Sequence, residues 1–127
     1  MKTLSLEQLI ELHVLVVRAT GGSDGLRDLG RLESALATQT QAVFGEELYV
    51  DIYGKAAALI RGIIQDHPFV DGNKRTGMLT GLTFLELNGS KLTIQRGELE
   101  DFAVQVATEQ LDVPLIAAWL HAHTTNS

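Results

Sequence analysis

The stretch from Asp51 to Asp66 constrains the fold of this 127-residue chain more than any other. Ile52, Tyr53, Ala56, Ala57, Leu59, Ile60, Ile63 and Ile64 make it apolar on most sides. A helix that is hydrophobic nearly all round belongs at the buried centre of a domain. Pro68 has no backbone donor and disfavours a helical residue before it, so the spacing predicts that this helix ends near Asp66. Such a helix must be covered on several sides, and the rest of the chain supplies the cover.

Ser5-Leu6-Glu7-Gln8 spells a capping box, and Leu6, Leu9, Ile10, His13 and Val17 follow on one helical face. Gly21-Gly22 stops that helix, and Ser23, Asp24 and Gly25 make a turn. Asp28 is the expected N-cap of a second helix with Leu32, Ala35 and Leu36 as its buried stripe. Thr38 to Glu47 loses periodicity and contains Gly45, the pattern of a loop or short hairpin. A later helix runs to Leu87 through Met78, Leu79, Leu82 and Leu85, and Asn88-Gly89 ends it. Leu92 and Ile94 alternate with polar neighbours long enough for a brief strand at most. The last helices carry Leu99, Phe102, Ala103 and Val106, then Leu115, Ala118 and Trp119 after Pro114. The expected fold is all-α, one domain over residues 1–127, with at most a short β-hairpin.

Composition narrows the chemistry. With no cysteine, the chain has no disulfide scaffold, thiolate zinc site, iron–sulfur cluster or cysteine nucleophile. Sixteen Asp and Glu against ten Lys and Arg give a net charge of −6, which argues against direct nucleic-acid binding. The apolar run from Leu9 to Val17 is interrupted by Glu11 and His13, unlike a secretory core, and is short of the roughly 20 residues of a membrane span. A soluble cytoplasmic protein without membrane contact is expected.

The chemistry concentrates in His67-Pro68-Phe69-Val70-Asp71-Gly72-Asn73-Lys74-Arg75, between the most buried helix and the next. A helix N-terminus presents unpaired N–H groups and the positive end of the dipole, and so attracts anions. Gly72 has no side chain to keep a phosphate from that backbone. Lys74 and Arg75 stand in the first turn, the wrong end for cations unless an anion is held there. His67 can take a proton near neutral pH, and Asp71 is a hard oxygen ligand beside the phosphate position. Together they make a phosphoryl- or nucleotidyl-transfer constellation.

This run resembles the signature H-x-F-x-[DE]-[GA]-N-[GK]-R of the Fic/Doc (Fido) superfamily. The block from Gly25 to Leu36, G-L-R-D-L-G-R-L-E-S-A-L, and Phe84 to Gly89, F-L-E-L-N-G, are similar to its death-on-curing (Doc) branch. The resemblance spans residues 4 to 120 and implies a compact all-α Doc-type domain with the motif on a loop entering a central helix. It also implies transfer of part of a nucleotide to a protein hydroxyl. His67 would be the general base, Asp71 would hold Mg²⁺, Phe69 would anchor the loop, and Gly72, Asn73, Lys74 and Arg75 would cradle the ATP phosphates. Adenylylating members read G-N-G-R-x-x-R, whereas here Lys74 replaces the second glycine and Met78 the last arginine. Lysine fills the space for the distal phosphates, and Met78 removes their second clamp. The resemblance to the Doc branch, which carries this lysine, implies a kinase that presents the γ-phosphoryl group to the histidine. AMP transfer is the runner-up. The implied partners are a Phd-like or similar antitoxin and, as target, elongation factor Tu, with arrest of translation as the outcome.

A second reading makes the chain mainly an antitoxin-binding co-repressor, resting on Val14, Val16 and Ile116, which the helical pattern leaves facing outward. Phe44 to Asp51, with Glu46, Glu47 and Tyr49, falls where the family carries a target-positioning flap, though an ordinary irregular connection fits equally. Arg27 and Asp28 are expected in a structural ion pair, His13 as a satisfied core histidine, and Trp119 in the core or against an antitoxin. His121 and His123 are expected near a frayed end.

Overall fold

The computed structural model describes residues 1–95 and 97–126. Ile52–Asp66 (α3) is the central helix, with Leu59, Ile60, Ile63 and Ile64 wholly buried. Asp51 caps it by accepting the Gly54 N–H at 2.7 Å, and it stops at Asp66, just before Pro68. Leu29–Ala37 (α2), Asn73–Leu87 (α4), Glu98–Thr108 (α5) and Val113–Ala122 (α6) pack around α3. Leu6–Thr20 (α1) lies against α4 and α2. The capping box at Ser5 and Gln8 forms as the sequence predicts, and Asp28 and Asp112 cap α2 and α6.

The contact between α3 and α4 is close because α4 turns Gly77 and Gly81 toward α3. A Cβ on Gly77 would meet Ile64 at 2.7 Å, and one on Gly81 would lie closer still to Ile60. Interiors are packed too densely to absorb such an overlap without a shift. The glycine stripe therefore holds α4 close against α3, and the motif loop spans the corner between the two helices.

The fold is mostly helical, as expected, but carries two short antiparallel pairs. Ala42–Val43 (β1) and Glu46–Glu47 (β2) form a hairpin around Phe44 and Gly45, both at positive φ. Phe44 at its tip is fully exposed. Ser90–Leu92 (β3) pairs with Thr124–Asn126 (β4) at the far end of the sequence. The expectation of a frayed end around His121 and His123 is thus corrected. His123 Nδ1 bonds the Trp119 carbonyl at 2.7 Å, its Nε2 faces Glu98 at 3.5 Å, and its ring stacks on Trp119. Trp119 in turn stacks on Phe102, at the main core.

Two further expectations change. Val16 is 8% exposed and Ile116 0%, with Val14 half-buried, because α1 and α6 each meet neighbours on a broader face than a single stripe. The apolar surface invoked for a purely binding role is therefore largely inside. Asp28 pairs with Arg31, not Arg27, since one helical turn brings the i and i+3 side chains together.

Residues near both ends of the chain close on the turn after α4. Asn88 accepts the Lys2 N–H at 2.8 Å and donates to the Lys2 carbonyl at 2.9 Å, two residues before β3 begins its pairing with β4. Among the described residues, no helix is long and apolar enough to cross a membrane.

Candidate active site

The motif loop is held from the side and from beneath. His67 caps α3 in the left-handed conformation, with φ 50. Arg27 Nε donates to the His67 carbonyl at 2.9 Å, and Arg31 Nη1 to the Asp66 carbonyl at 2.7 Å. Two guanidinium groups thus meet the negative end of the α3 dipole. The Pro68 carbonyl accepts the N–H groups of Arg27 and Asp28, and Val70 donates to the Gly25 carbonyl at 3.0 Å. The connection between α1 and α2 therefore runs antiparallel beside the motif, with Leu26 bridged to Phe69. That is the structural work of the Gly25–Asp28 segment.

Phe69 anchors the loop as expected. It is 2% exposed and packs with Leu9, Leu32, Ala35 and Ile63 in a core shared by α1, α2 and α3. The His13 ring lies flat on it, with centroids 3.7 Å apart. Asn73 is buried, and its side chain closes the turn by accepting the Phe69 N–H at 3.0 Å and donating to the Phe69 carbonyl at 2.9 Å. What Asn73 can offer an anion is consequently its backbone N–H.

Asp71 is gripped at two points. His13 Nε2 lies 2.8 Å from its carbonyl oxygen, and Oδ2 accepts the Ser23 N–H at 2.8 Å. A Cβ on Gly22 would come within 3.1–3.3 Å of the Asp71 side chain, so glycine is what leaves the carboxylate its place. Beyond Asp71, Gly72 begins α4 at φ 76 and provides no side-chain cap. Helices α1, α2, α3 and α6 each receive a side-chain oxygen there, from Ser5, Asp28, Asp51 and Asp112. The α4 N-terminus carries no acid in its first turn but has Lys74 and Arg75, both exposed. The start of α5 is likewise without a side-chain cap but acidic; with Lys74 and Arg75 in its first turn, the start of α4 can accept an anion from outside.

These features meet in a cleft of about 550 Å³ lined by Asp71, Gly72, Asn73, Lys74 and Arg75, with Gly21 and Gly22 from the end of α1 and Glu100 from α5. The cleft brings together all five residues expected to bind phosphate and metal. His67 does not line it. It stands exposed at the start of the loop, and among the described residues none hydrogen-bonds its ring.

The carboxylates that could hold a cation in the cleft are those of Asp71 and Glu100. Among the described residues no group of three His, Asp or Glu could enclose a cation. So small a set of carboxylates beside an anion site would suit an ion that takes most of its ligands from water and phosphate oxygens, as Mg²⁺ does.

Sequence reading missed Arg27, Ser23 and Gly22 as supports of the loop, and it placed His13 in the core without its bond to Asp71. His13 did carry a signal, because a histidine on an apolar stripe requires a polar partner once buried. The others act through backbone atoms across more than 39 positions and leave no local pattern.

A mostly helical domain that presents H-P-F-V-D-G-N-K-R at the corner between two close-packed helices has the features of one family, and the chain belongs to it. The Fic/DOC family model matches residues 3–85. The chain is similar to Toxin Doc of Mycolicibacterium smegmatis, with 39% identity over 104 residues, covering 80% of each chain. It is also similar to Protein kinase doc of Escherichia phage P1, with 34% identity over 117 residues, 92% of this chain and 91% of the relative.

Proposed function

We propose that this protein is a Doc-type toxin kinase that moves the γ-phosphoryl group of ATP to a Ser or Thr hydroxyl of a target protein. The target is elongation factor Tu, and the setting is the cytoplasm. An antitoxin of the Phd type is the physiological partner. The observation that carries the reading is the α4 N-terminus: bare backbone donors, Lys74 and Arg75 and the Asp71 carboxylate share one cleft. Met78, one turn farther on, is 2% exposed and apolar where adenylylating members of the family carry an arginine.

In this scheme the N–H groups after Gly72, with Lys74 and Arg75, bind the phosphate chain and offset its charge. Asp71 is the residue that would hold Mg²⁺, which when bound supplies charge neutralisation between the phosphates. His67 takes the proton as the target hydroxyl oxygen forms a bond to the γ-phosphorus. The bond from that phosphorus to the β–γ bridging oxygen breaks, and ADP leaves with the electron pair. The names of the two relatives, a toxin and a protein kinase, support this assignment.

The test is transfer of label to purified elongation factor Tu from ATP labelled at either the γ- or the α-phosphate, with mass spectrometry of the product. Label from the γ-position and an added phosphate are expected, and His67→Ala should abolish both. Label from the α-position and an added AMP would replace the kinase reading with adenylyl transfer.

A further inference from the structure

A second pocket, of about 560 Å³, lies at the other end of the motif loop, between α2, α3 and the start of α6. It shares no lining residue with the cleft. Along α3 it is lined by Ala58, Arg61, Gly62 and Asp66, and it ends one residue short of His67. The loop that carries His67 thus leaves this pocket at Asp66 and enters the cleft at Asp71. The pocket floor is made of small residues in close contact. A Cβ on Gly62 would meet the Ala35 Cβ of α2 at 3.0 Å. Two lining residues carry charge, Arg61 and Asp66, and both are exposed. Among the described residues neither side chain has an ion pair or a hydrogen bond.

Resting on the kinase reading, we propose that this pocket receives the target chain beside the hydroxyl to be modified. Arg61 there selects an Asp or Glu two to four positions from that hydroxyl. In-line transfer brings the hydroxyl to the γ-phosphorus from the side opposite the departing ADP. With the phosphates in the cleft, the target has to approach His67 from elsewhere, and this pocket is the concave surface at the Asp66 end of the loop. Spacing sets the register. Arg61 precedes His67 by six helical positions, about 9 Å of rise. An extended chain advances about 3.3 Å per residue, so with the reach of the arginine side chain the facing residue falls two to four positions away. Ser34, Thr38, Thr40 and Gln41 offer hydroxyl and amide groups to the backbone passing over them. On a chain of net charge −6, an acidic segment is repelled over much of the surface, so an unpaired guanidinium here favours one docked register. Asp66, nearer His67, opposes an acid directly beside the hydroxyl and sharpens that choice.

The test measures initial rates on elongation factor Tu with ATP labelled at the γ- or the α-phosphate, after mass spectrometry has located the modified hydroxyl. Arg61→Gln should raise the KM for the factor about three- to tenfold while kcat stays within about twofold. Each Asp or Glu of the factor within four positions of that hydroxyl is then changed to Lys. One such change should lower kcat/KM about tenfold or more with the wild-type enzyme, and Arg61→Glu should recover most of the loss. Recovery of that kind cannot come from a misfolded variant. A factor with no acid in that window would overturn the subsite. So would an Arg61→Glu enzyme that modifies the unaltered factor at the wild-type kcat/KM, or one that recovers none of the lysine variants. Charge-swap recovery with label from the α-phosphate would keep the subsite and defeat the kinase reading; γ-transfer indifferent to Arg61 would do the reverse. No transfer from either label overturns both.

Discussion

His13 donates its Nε2–H to the carbonyl oxygen of Asp71 at 2.8 Å, across 58 positions of sequence. A carbonyl oxygen only accepts, so the bond fixes which ring nitrogen carries the proton. Nδ1 is left buried without a partner, and the ring is otherwise held by its stack on Phe69. Helix α1 thereby sets the height of the loop that would carry the metal ligand.

His13→Leu should therefore raise the Mg²⁺ concentration needed for half-maximal phosphotransfer by about 10–100-fold, the range for loss of an outer support of a metal ligand. His13→Gln, which keeps a donor at similar reach, should recover most of it. Thermal unfolding of both variants separates this from general destabilisation, since removal of the orphaned Nδ1 offsets part of the lost hydrogen bond. An unchanged Mg²⁺ requirement in the leucine variant would remove the positioning role.

Arg27 touches His67 only through the backbone, at 2.9 Å from Nε to the carbonyl, and its side chain is exposed. Arg27→Ala should cost no more than about 1.5 kcal/mol of stability yet lower kcat by about 10–100-fold, because it loosens the left-handed turn that aims the imidazole. Calorimetric unfolding and steady-state kinetics on one preparation check both halves. Loss of stability without loss of rate would show that the bond serves only the fold.

Asp71→Asn separates charge from shape. The amide oxygen can still accept the Ser23 N–H, so the melting temperature should change little. Phosphotransfer should fall by more than about 100-fold as the carboxylate contribution to Mg²⁺ is lost. Saturating Mg²⁺ should restore only a small part, measured by initial rates across a Mg²⁺ series.

Lys55 is 1% exposed, with its ammonium 2.6 Å from the Gln39 carbonyl and 3.1 Å from Glu47 of the hairpin. A buried ammonium needs its partners, and losing one is costly. Because Glu47 is half exposed, solvent screens the pair, and Glu47→Ala should cost about 1–3 kcal/mol. Limited proteolysis should then cut faster near Phe44–Gly45, while Lys74 and Arg75 keep their affinity for tripolyphosphate. A cleavage rate equal to wild type would mean that the hairpin is held by other contacts.

Local signals in the sequence accounted for much of the fold. Ser5 with Gln8, Asp28, Asp51 and Pro68 act on backbone groups within a turn of themselves, so each leaves a pattern at fixed spacing. The motif was legible for the same reason, as its turn and helix start are contiguous. The rest depends on contacts between distant segments. A three-residue strand such as β4 has no periodicity to read, and its partner β3 lies more than 30 positions away. Arg27 could be assigned to a neighbouring aspartate by proximity, but only the folded chain shows the His67 carbonyl within its reach. The burial of Val16 and Ile116 likewise depends on how many helices surround each one.

The meeting of the Lys2 and Thr124–Asn126 segments at the Asn88 corner bears on how the molecule can be re-engineered. Helix α4 separates that corner from the cleft by 15 residues, about 22 Å of rise. A short peptide joining the two segments would link them far from the cleft, and the chain could be cut at the exposed Phe44–Gly45 tip. A bulky group attached beside Lys2 or at the Thr124–Asn126 strand would approach from the same remote corner and leave the mouth of the cleft open.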